Sequence, residues 1–347
     1  MPTVETVRGP VDVDQLGTTL MHEHIFILQP EALQNWGHAF GPAYWNEQER
    51  LDDAIAKLGA VRDAGIHTIV DPTAPGLGRY IPRIQKLNAA VDLNIIVASG
   101  VYAFLELPNF LAYRRVDAIA ELFIREIRDG IDDTGVKAAF LKCAVERHRV
   151  TGDVPRILAA VAAASIETAA PVMVHTNSAE RTGIDALDTL TGHGVDPTRI
   201  VIAHVGDSND LGYIRAIADS GAWLGCDRFG IDHFNPLADR VKTLLALLAE
   251  GHGGRIHLSH DAACFLDFMI GDPAFGNEKP DYLLISKQVV PALLEEGVTR
   301  EQIDELMVGN PRRFFGGAAS PGEAASPGDA ASPGEATPTH RVGAETP

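Results

Sequence analysis

The sequence predicts an α/β chain folded as a (β/α)8 barrel, followed by a disordered C-terminal tail. Three observations carry this reading. Eight short β-rich runs recur across residues 1–316. Amphipathic segments rich in alanine and leucine separate them, at the spacing that produces βαβ units and a parallel sheet. The size also suits a closed eight-unit barrel. An open doubly wound sheet of equal count usually carries a glycine-rich phosphate loop after its first strand. Here the first run ends in MHEHIF, and the glycines of PGLGRY follow the second run without the GxGxxG spacing.

The runs are, in order, Thr18–Ile27, His67–Asp71, Asn94–Ser99, Lys137–Ala144, Pro171–Thr176, Ile200–His204, Ala222–Asp227 and Arg255–His260. Each is dominated by branched, aromatic or small apolar residues, which suit strands buried on both faces. Between them, Arg50–Ala64, Asp117–Gly130, Val154–Ala169, Glu180–Thr191, Asp210–Ser220 and Pro236–Glu250 carry a helical apolar stripe, and a final helix spans Tyr282–Glu296 before a short segment at Arg300–Phe315. From Ser320 the chain repeats SPGEAA, SPGDAA and SPGEAT. Such a segment has no apolar face to offset its ordering entropy, so residues 317–347 are expected to be disordered.

Composition narrows the function. The chain is 46% hydrophobic and 22% charged, with a formal net charge of −18. So acidic a surface disfavours nucleic acid and anionic substrates and favours a neutral small molecule. No apolar run reaches the length of a membrane helix, and MPTVETVRGP lacks the features of a signal peptide, so the expectation is a cytoplasmic protein with no membrane partner. Cys143, Cys226 and Cys264 are too scattered for a disulfide framework and are read as small buried hydrophobes.

A barrel of this kind places its chemistry at the C-terminal ends of the strands. His22 and His24 stand near the end of the first run, where alternation turns both imidazoles to one side. Lys142 ends the fourth, His175 the fifth, His204 the sixth and Asp261 the eighth. Six polar groups converging on one mouth have a common explanation in two divalent cations. A lysine buried there is costly as an ammonium. It fits once its neutral amine adds carbon dioxide to give N6-carboxylysine, an anionic carbamate able to bridge two metals.

His-x-His on the first strand, lysine on the fourth, histidines on the fifth and sixth and aspartate on the eighth resemble the amidohydrolase superfamily. More narrowly, LMHEHIF, TIVDPT, GLGRYIPRI, GVYAFLELP, KAAFLKCA, HTN, IAHVGDSND, GCDRFGID, LSHDAAC and NPRRFF resemble the phosphotriesterase-like lactonases. The resemblance implies a binuclear metal centre at the C-terminal face, with His22, His24 and Asp261 on the more buried ion, His175 and His204 on the other, and carboxylated Lys142 between them. It implies attack on a neutral lactone, with N-acyl-homoserine lactones foremost, by a hydroxide held between the metals, and Asp261 as acid–base. It also implies that Tyr102 faces that hydroxide and the substrate, that Arg228 lies beside the substrate, and that the protein is a homodimer. Zinc is the expected metal, with cobalt, manganese or iron also suited to the donors.

The chain departs from the resemblance after the lysine strand, where AVERHRVTG replaces a DEPG-type turn. Phe265 and Phe268, in the segment after Asp261, are expected to line an acyl-chain channel, with packing of the loop as the alternative. Asp71 and Asp207 are read as hydrogen-bonding supports for the ligands, with structural hydrogen bonding as the equal alternative, and His260 is assigned to the side away from the metals. The alternative activity is a phosphotriesterase acting on organophosphate triesters. A catalytically inactive scaffold barrel is the rival from another class, and the presence of all six ligand positions argues against it.

Overall fold

Period-two alternation along eight parallel strands builds two separate cores, one inside the barrel and one between barrel and helices. The computed structural model describes residues 2–41, 44–267 and 281–317. An antiparallel hairpin, β1 (Thr3–Thr6) and β2 (Gly9–Asp12), precedes the barrel. The barrel strands are β3 (Thr19–Leu20), β5 (Thr68–Asp71), β6 (Asn94–Gly100), β7 (Phe140–Val145), β8 (Val172–Thr176), β9 (Ile200–Ile202), β10 (Trp223–Cys226) and β11 (Ile256–Leu258), and they pair in parallel in that order. The intervening short strand β4 (His24–Ile27) pairs instead with β12 (Ala263–Leu266), outside the barrel sheet.

Helices α1 (Pro30–Phe40), α2 (Glu47–Asp63), α3 (Ile81–Asn88), α4 (Asn109–Ala112), α5 (Val116–Arg128), α6 (Val154–Thr168), α7 (Thr182–Gly192), α8 (Leu211–Asp219) and α9 (Leu237–Ala249) fill the connections. The chain then runs through α10 (Val290–Glu295), α11 (Arg300–Asp304) and α12 (Asn310–Gly316). Sequence periodicity placed most of these within a few residues. The hairpin, α1, α3 and α4 fall outside the spans it marked.

One expectation needs correction. The run Thr18–Ile27 is not one strand: it breaks at Met21–Glu23, between β3 and β4. The break is fixed by tertiary bonds that replace the ladder. His22 N–H donates to Ser259 Oγ at 2.9 Å, and Glu23 N–H donates to the Val70 carbonyl at 2.9 Å. The fully buried Glu23 carboxylate accepts from Ser259 Oγ, the His260 and Ala262 N–H groups and His260 Nδ1 at 2.6–3.0 Å. Together with Met21 N–H on the Leu258 carbonyl at 3.4 Å, these bonds join the first and last barrel strands. His260, turned to Glu23, is therefore a closure residue.

Inside the barrel, Val70, Ile96, Phe140, Met173, Val201 and Trp223 form an apolar floor that Phe314 of α12 covers. The outward residues of the same strands pack against the helices. Two residues beyond the floor on β7 and β8, at Lys142 and His175, the interior becomes polar.

Candidate metal centre

Alternation delivers the first ligand candidates directly. Phe140 of the floor leads to Lys142, Met173 to His175, and both side chains are buried. The same rule would turn His204 outward, because Val201 and Ala203 already point in. His204 instead adopts φ 69°, and Asp261 adopts φ 54°. Non-glycine residues rarely occupy this left-handed region, and such outliers concentrate at functional sites. Gly100, with φ 102°, lets β6 approach β7 beside Lys142, since a Cβ there would lie 2.1 Å from the Lys142 carbonyl oxygen.

All six predicted ligand positions meet at the mouth. His22 Nε2 and His24 Nε2 lie 3.3 and 3.2 Å from Asp261 Oδ1. His204 Nε2 lies 2.8 Å from His175 Nδ1 and 4.0 Å from Asp261 Oδ2. The partners of the outer ring nitrogens assign the imidazole protons to that side. A carboxylate only accepts, so a ring nitrogen bonded to one carries hydrogen and leaves the opposite nitrogen bare. Asp227 accepts from His22 Nδ1 and His204 Nδ1, both at 2.9 Å, and from the His204 N–H at 2.8 Å. Glu146 Oε1 lies 3.0 Å from His175 Nε2. Thr73 gives its hydroxyl proton to Asp71 and so accepts from His24 Nδ1 at 2.7 Å.

With the protons so assigned, each imidazole presents a bare nitrogen to the mouth. His22 Nε2, His24 Nε2 and Asp261 Oδ1 form one group of acceptors, and His175 Nδ1 with His204 Nε2 forms another. Lone pairs this close repel unless a cation lies among them, and neutral histidine with carboxylate is a suitable donor set. Burial holds the imidazoles neutral: it lowers His22 to about 4, aided by the Lys142 charge, lowers His175, and takes His204 well below the usual range with the help of Arg228. Burial would raise Asp261, but His22 and Arg228 outweigh it and keep the carboxylate ionised.

Lys142 Nζ is buried with no hydrogen-bond partner among the described residues. Burial lowers its pKa to about 8, against the opposing pull of Asp261 and Asp227. An unpaired buried amine of this kind is expensive unless it is neutral or modified. The donor set and the orphaned amine together fit two cations with a bridging carbamate.

The remaining candidates separate. Tyr102 donates its hydroxyl to Glu146 Oε1 at 3.1 Å and sets its ring edge on His175, 5.0 Å between centroids. Burial, then the Glu146 charge, pushes its pKa well up, so it is a neutral phenol. Arg228 donates Nε–H to Asp261 Oδ2 at 2.8 Å and Nη1–H to Asp207 Oδ2 at 2.9 Å. Phe265 lies elsewhere: it is 6% exposed, with its ring 5.0 Å from that of Trp45 and the Arg50 guanidinium 4.4 Å above it. It packs β12 onto the barrel's flank, the alternative held open for this loop. Phe268 lies outside the described residues.

Asp71 supports His24 through Thr73, whereas Asp207 supports Arg228 rather than a histidine. Sequence reasoning missed Asp227, Thr73 and Glu146. Asp227 had a usable signal, a carboxylate at the end of the seventh strand of a barrel whose other strand ends carry ligands. Glu146 directly follows the lysine strand in the segment that departs from the resembled pattern.

No helix among the described residues is long and apolar enough to cross a membrane. Residues 2–315 match the phosphotriesterase family. A phosphotriesterase homology protein of Mycobacterium tuberculosis is 43% identical over 324 residues, covering 91% of this chain and 98% of the relative. An aryldialkylphosphatase of Saccharolobus solfataricus is 36% identical over 318 residues, covering 89% and 98%. An N-acetyltaurine hydrolase of Danio rerio is 26% identical over 344 residues, covering 90% and 97%. The solved structure of the phosphotriesterase from M. tuberculosis matches with a TM-score of 0.86 at 42% identity, over 90% of this chain and 98% of that one. With this barrel and these histidine and aspartate groups able to hold metal, the chain belongs to the phosphotriesterase family of hydrolases.

Proposed function

We propose that this chain opens neutral lactones, N-acyl-homoserine lactones foremost, to hydroxy acids. The observation that carries the reading is the gathering of His22, His24 and Asp261 within metal-ligating distance of one another, with the buried, unpartnered amine of Lys142 in the field of Asp261 and Asp227. His22, His24 and Asp261 would hold one divalent cation, His175 and His204 a second, and carboxylated Lys142 would join both. In forming the carbamate, neutral Nζ bonds to the carbon of carbon dioxide and releases one proton. Bound there, two cations supply Lewis acidity at the ester carbonyl and acidify a water near neutral pH.

The chain's own groups do the rest. Asp261, with Oδ2 held by Arg228, takes the proton of the attacking water and returns it to the departing alkoxide. Tyr102 stays protonated and borders the mouth, where its hydroxyl can orient a carbonyl oxygen. Arg228 keeps Asp261 anionic between proton transfers. A neutral substrate agrees with the net charge of −18.

Cleavage of aryl dialkyl phosphates is the second reading, favoured by the aryldialkylphosphatase at 36% identity. Both transition states place negative charge on an oxygen facing the same cations, so a slower second activity is expected. Proton release on a long-chain acyl-homoserine lactone and on a diethyl aryl phosphate, with loaded and chelated enzyme, separates the two. Faster, chelator-sensitive ring opening, with the acyl-homoserine identified by mass, supports the lactonase. Faster triester cleavage reverses the ranking. Release of free fatty acid instead would point to the amide bond.

A further inference from the structure

We propose that Arg240, on α9 and outside the mouth, is a positioning residue that sets Arg228 on Asp261. Arg240 is 3% exposed, and its guanidinium is fully engaged by two loops. Nε–H donates to the Asn235 carbonyl at 2.8 Å and Nη2–H to the Ile231 carbonyl at 3.0 Å, both in the segment after β10 that begins with Asp227 and Arg228. Nη1–H donates to the Gly206 carbonyl at 3.0 Å, and Nη1 stands 2.7 Å from Asp207 Oδ1 as an ion pair, in the turn that follows His204. Asn235 strengthens the same join, donating Nδ2–H to the Gly206 carbonyl at 3.0 Å.

The result is a row of alternating charge, Arg240, Asp207, Arg228, Asp261, with nitrogen–oxygen separations of 2.7, 2.9 and 2.8 Å. Its logic lies in how Asp207 is shared. Arg240 occupies Oδ1 and leaves Oδ2 for one Arg228 nitrogen, so the Arg228 Nε–H remains for Asp261. Without Arg240, both Asp207 oxygens compete for Arg228 as a bidentate partner, and three buried carbonyls in the two loops lose donors. A lysine cannot replace it, since a point ammonium lacks the planar fork that reaches four acceptors in two directions. A cation this buried is tolerated only when paired and hydrogen-bonded.

The test uses the full metal-loaded chain. In 15N-labelled protein the Arg228 Nε–H gives a signal protected from solvent exchange, identified by its loss in Arg228→Met. The proposal expects Arg240→Met to speed that exchange at least about tenfold while metal content and thermal midpoint show a folded, loaded protein. Asp207→Asn, which removes the charge between the two arginines at nearly constant volume, should do the same and serves if Arg240→Met does not fold. Unchanged protection of Arg228 in either folded variant overturns the proposal. The kinetic arm rests on the proposed ester hydrolysis. On whichever ester turns over, Arg240→Met should lower kcat/KM about 10- to 100-fold, chiefly through kcat, and cost nothing further in an Arg228→Met background. Losses that multiply would make Arg240 merely structural. If the unmodified enzyme turns over neither ester, the substrate reading falls, while the exchange measurement still decides the role of Arg240.

Discussion

The floor and the mouth of this barrel lie two residues apart on the interior faces of β7 and β8, yet they obey opposite rules. At the floor, Phe140, Met173, Val201 and Trp223 fill the interior with apolar volume. One step along the same faces stand Lys142 and His175, and beyond the ends of β10 and β11 stand Asp227 and Asp261. The floor stabilises the fold by burying apolar surface. The mouth destabilises it, because it holds an unpaired amine, ionised carboxylates and imidazoles that burial keeps neutral. Such a cost survives where function requires the arrangement. The difference shows that periodicity chooses which residues face inward, while residue type decides whether a layer supports or reacts.

Four changes break or sharpen this contrast. The largest effect on activity is expected at Lys142: Lys142→Ala should lose metal and lower turnover on the order of 1,000-fold. A short carboxylic acid should restore part of both, as metal analysis and ester kinetics would report. Next is Asp227→Asn, which leaves His22 and His204 without their shared orienting acceptor. Metal affinity or kcat/KM should fall about 10- to 100-fold, seen by chelator competition, with little change in melting of the metal-free protein. At the floor the pattern inverts. Trp223→Ala should cost about 3–5 kcal/mol of stability by denaturant titration yet leave turnover per loaded, folded molecule unchanged.

The smallest effect concerns His257, whose ring stacks on Trp223 at 4.7 Å between centroids. Burial holds it neutral down to about 3, whereas an unfolded chain protonates it near 6.5. The unfolded chain thus binds more protons between those values, so metal-free stability falls as pH drops from about 6.5 toward 3. His257→Leu should flatten that slope in melting curves without altering metal content.

Much of this contrast was legible in the sequence, for reasons that particular residues make clear. The strands could be read because each is a buried β-rich run, and Lys142 and His175 because a polar residue ends an apolar run. Glu23 and the break it creates were not legible, since a tertiary carboxylate replaces the ladder inside an otherwise strand-like stretch. His204 reaches the mouth through a left-handed backbone that alternation does not foresee. Asp227, Thr73 and Glu146 act on ligands from other strands, and that adjacency exists only in the folded barrel. Phe265 shows the reverse limit, because an aromatic residue in a loop near the site reads the same whether it lines a channel or packs a flank.

On the proposed reading, Lys142 as a carbamate joins two cations at the mouth. The most direct measurement combines metal stoichiometry with 13C NMR of enzyme reconstituted in labelled bicarbonate, for the unmodified chain and Lys142→Ala. The account predicts two divalent ions per chain and one carbamate carbon signal, both lost together in the variant. Two ions retained by Lys142→Ala, or a fully loaded enzyme without the carbamate signal, would contradict it.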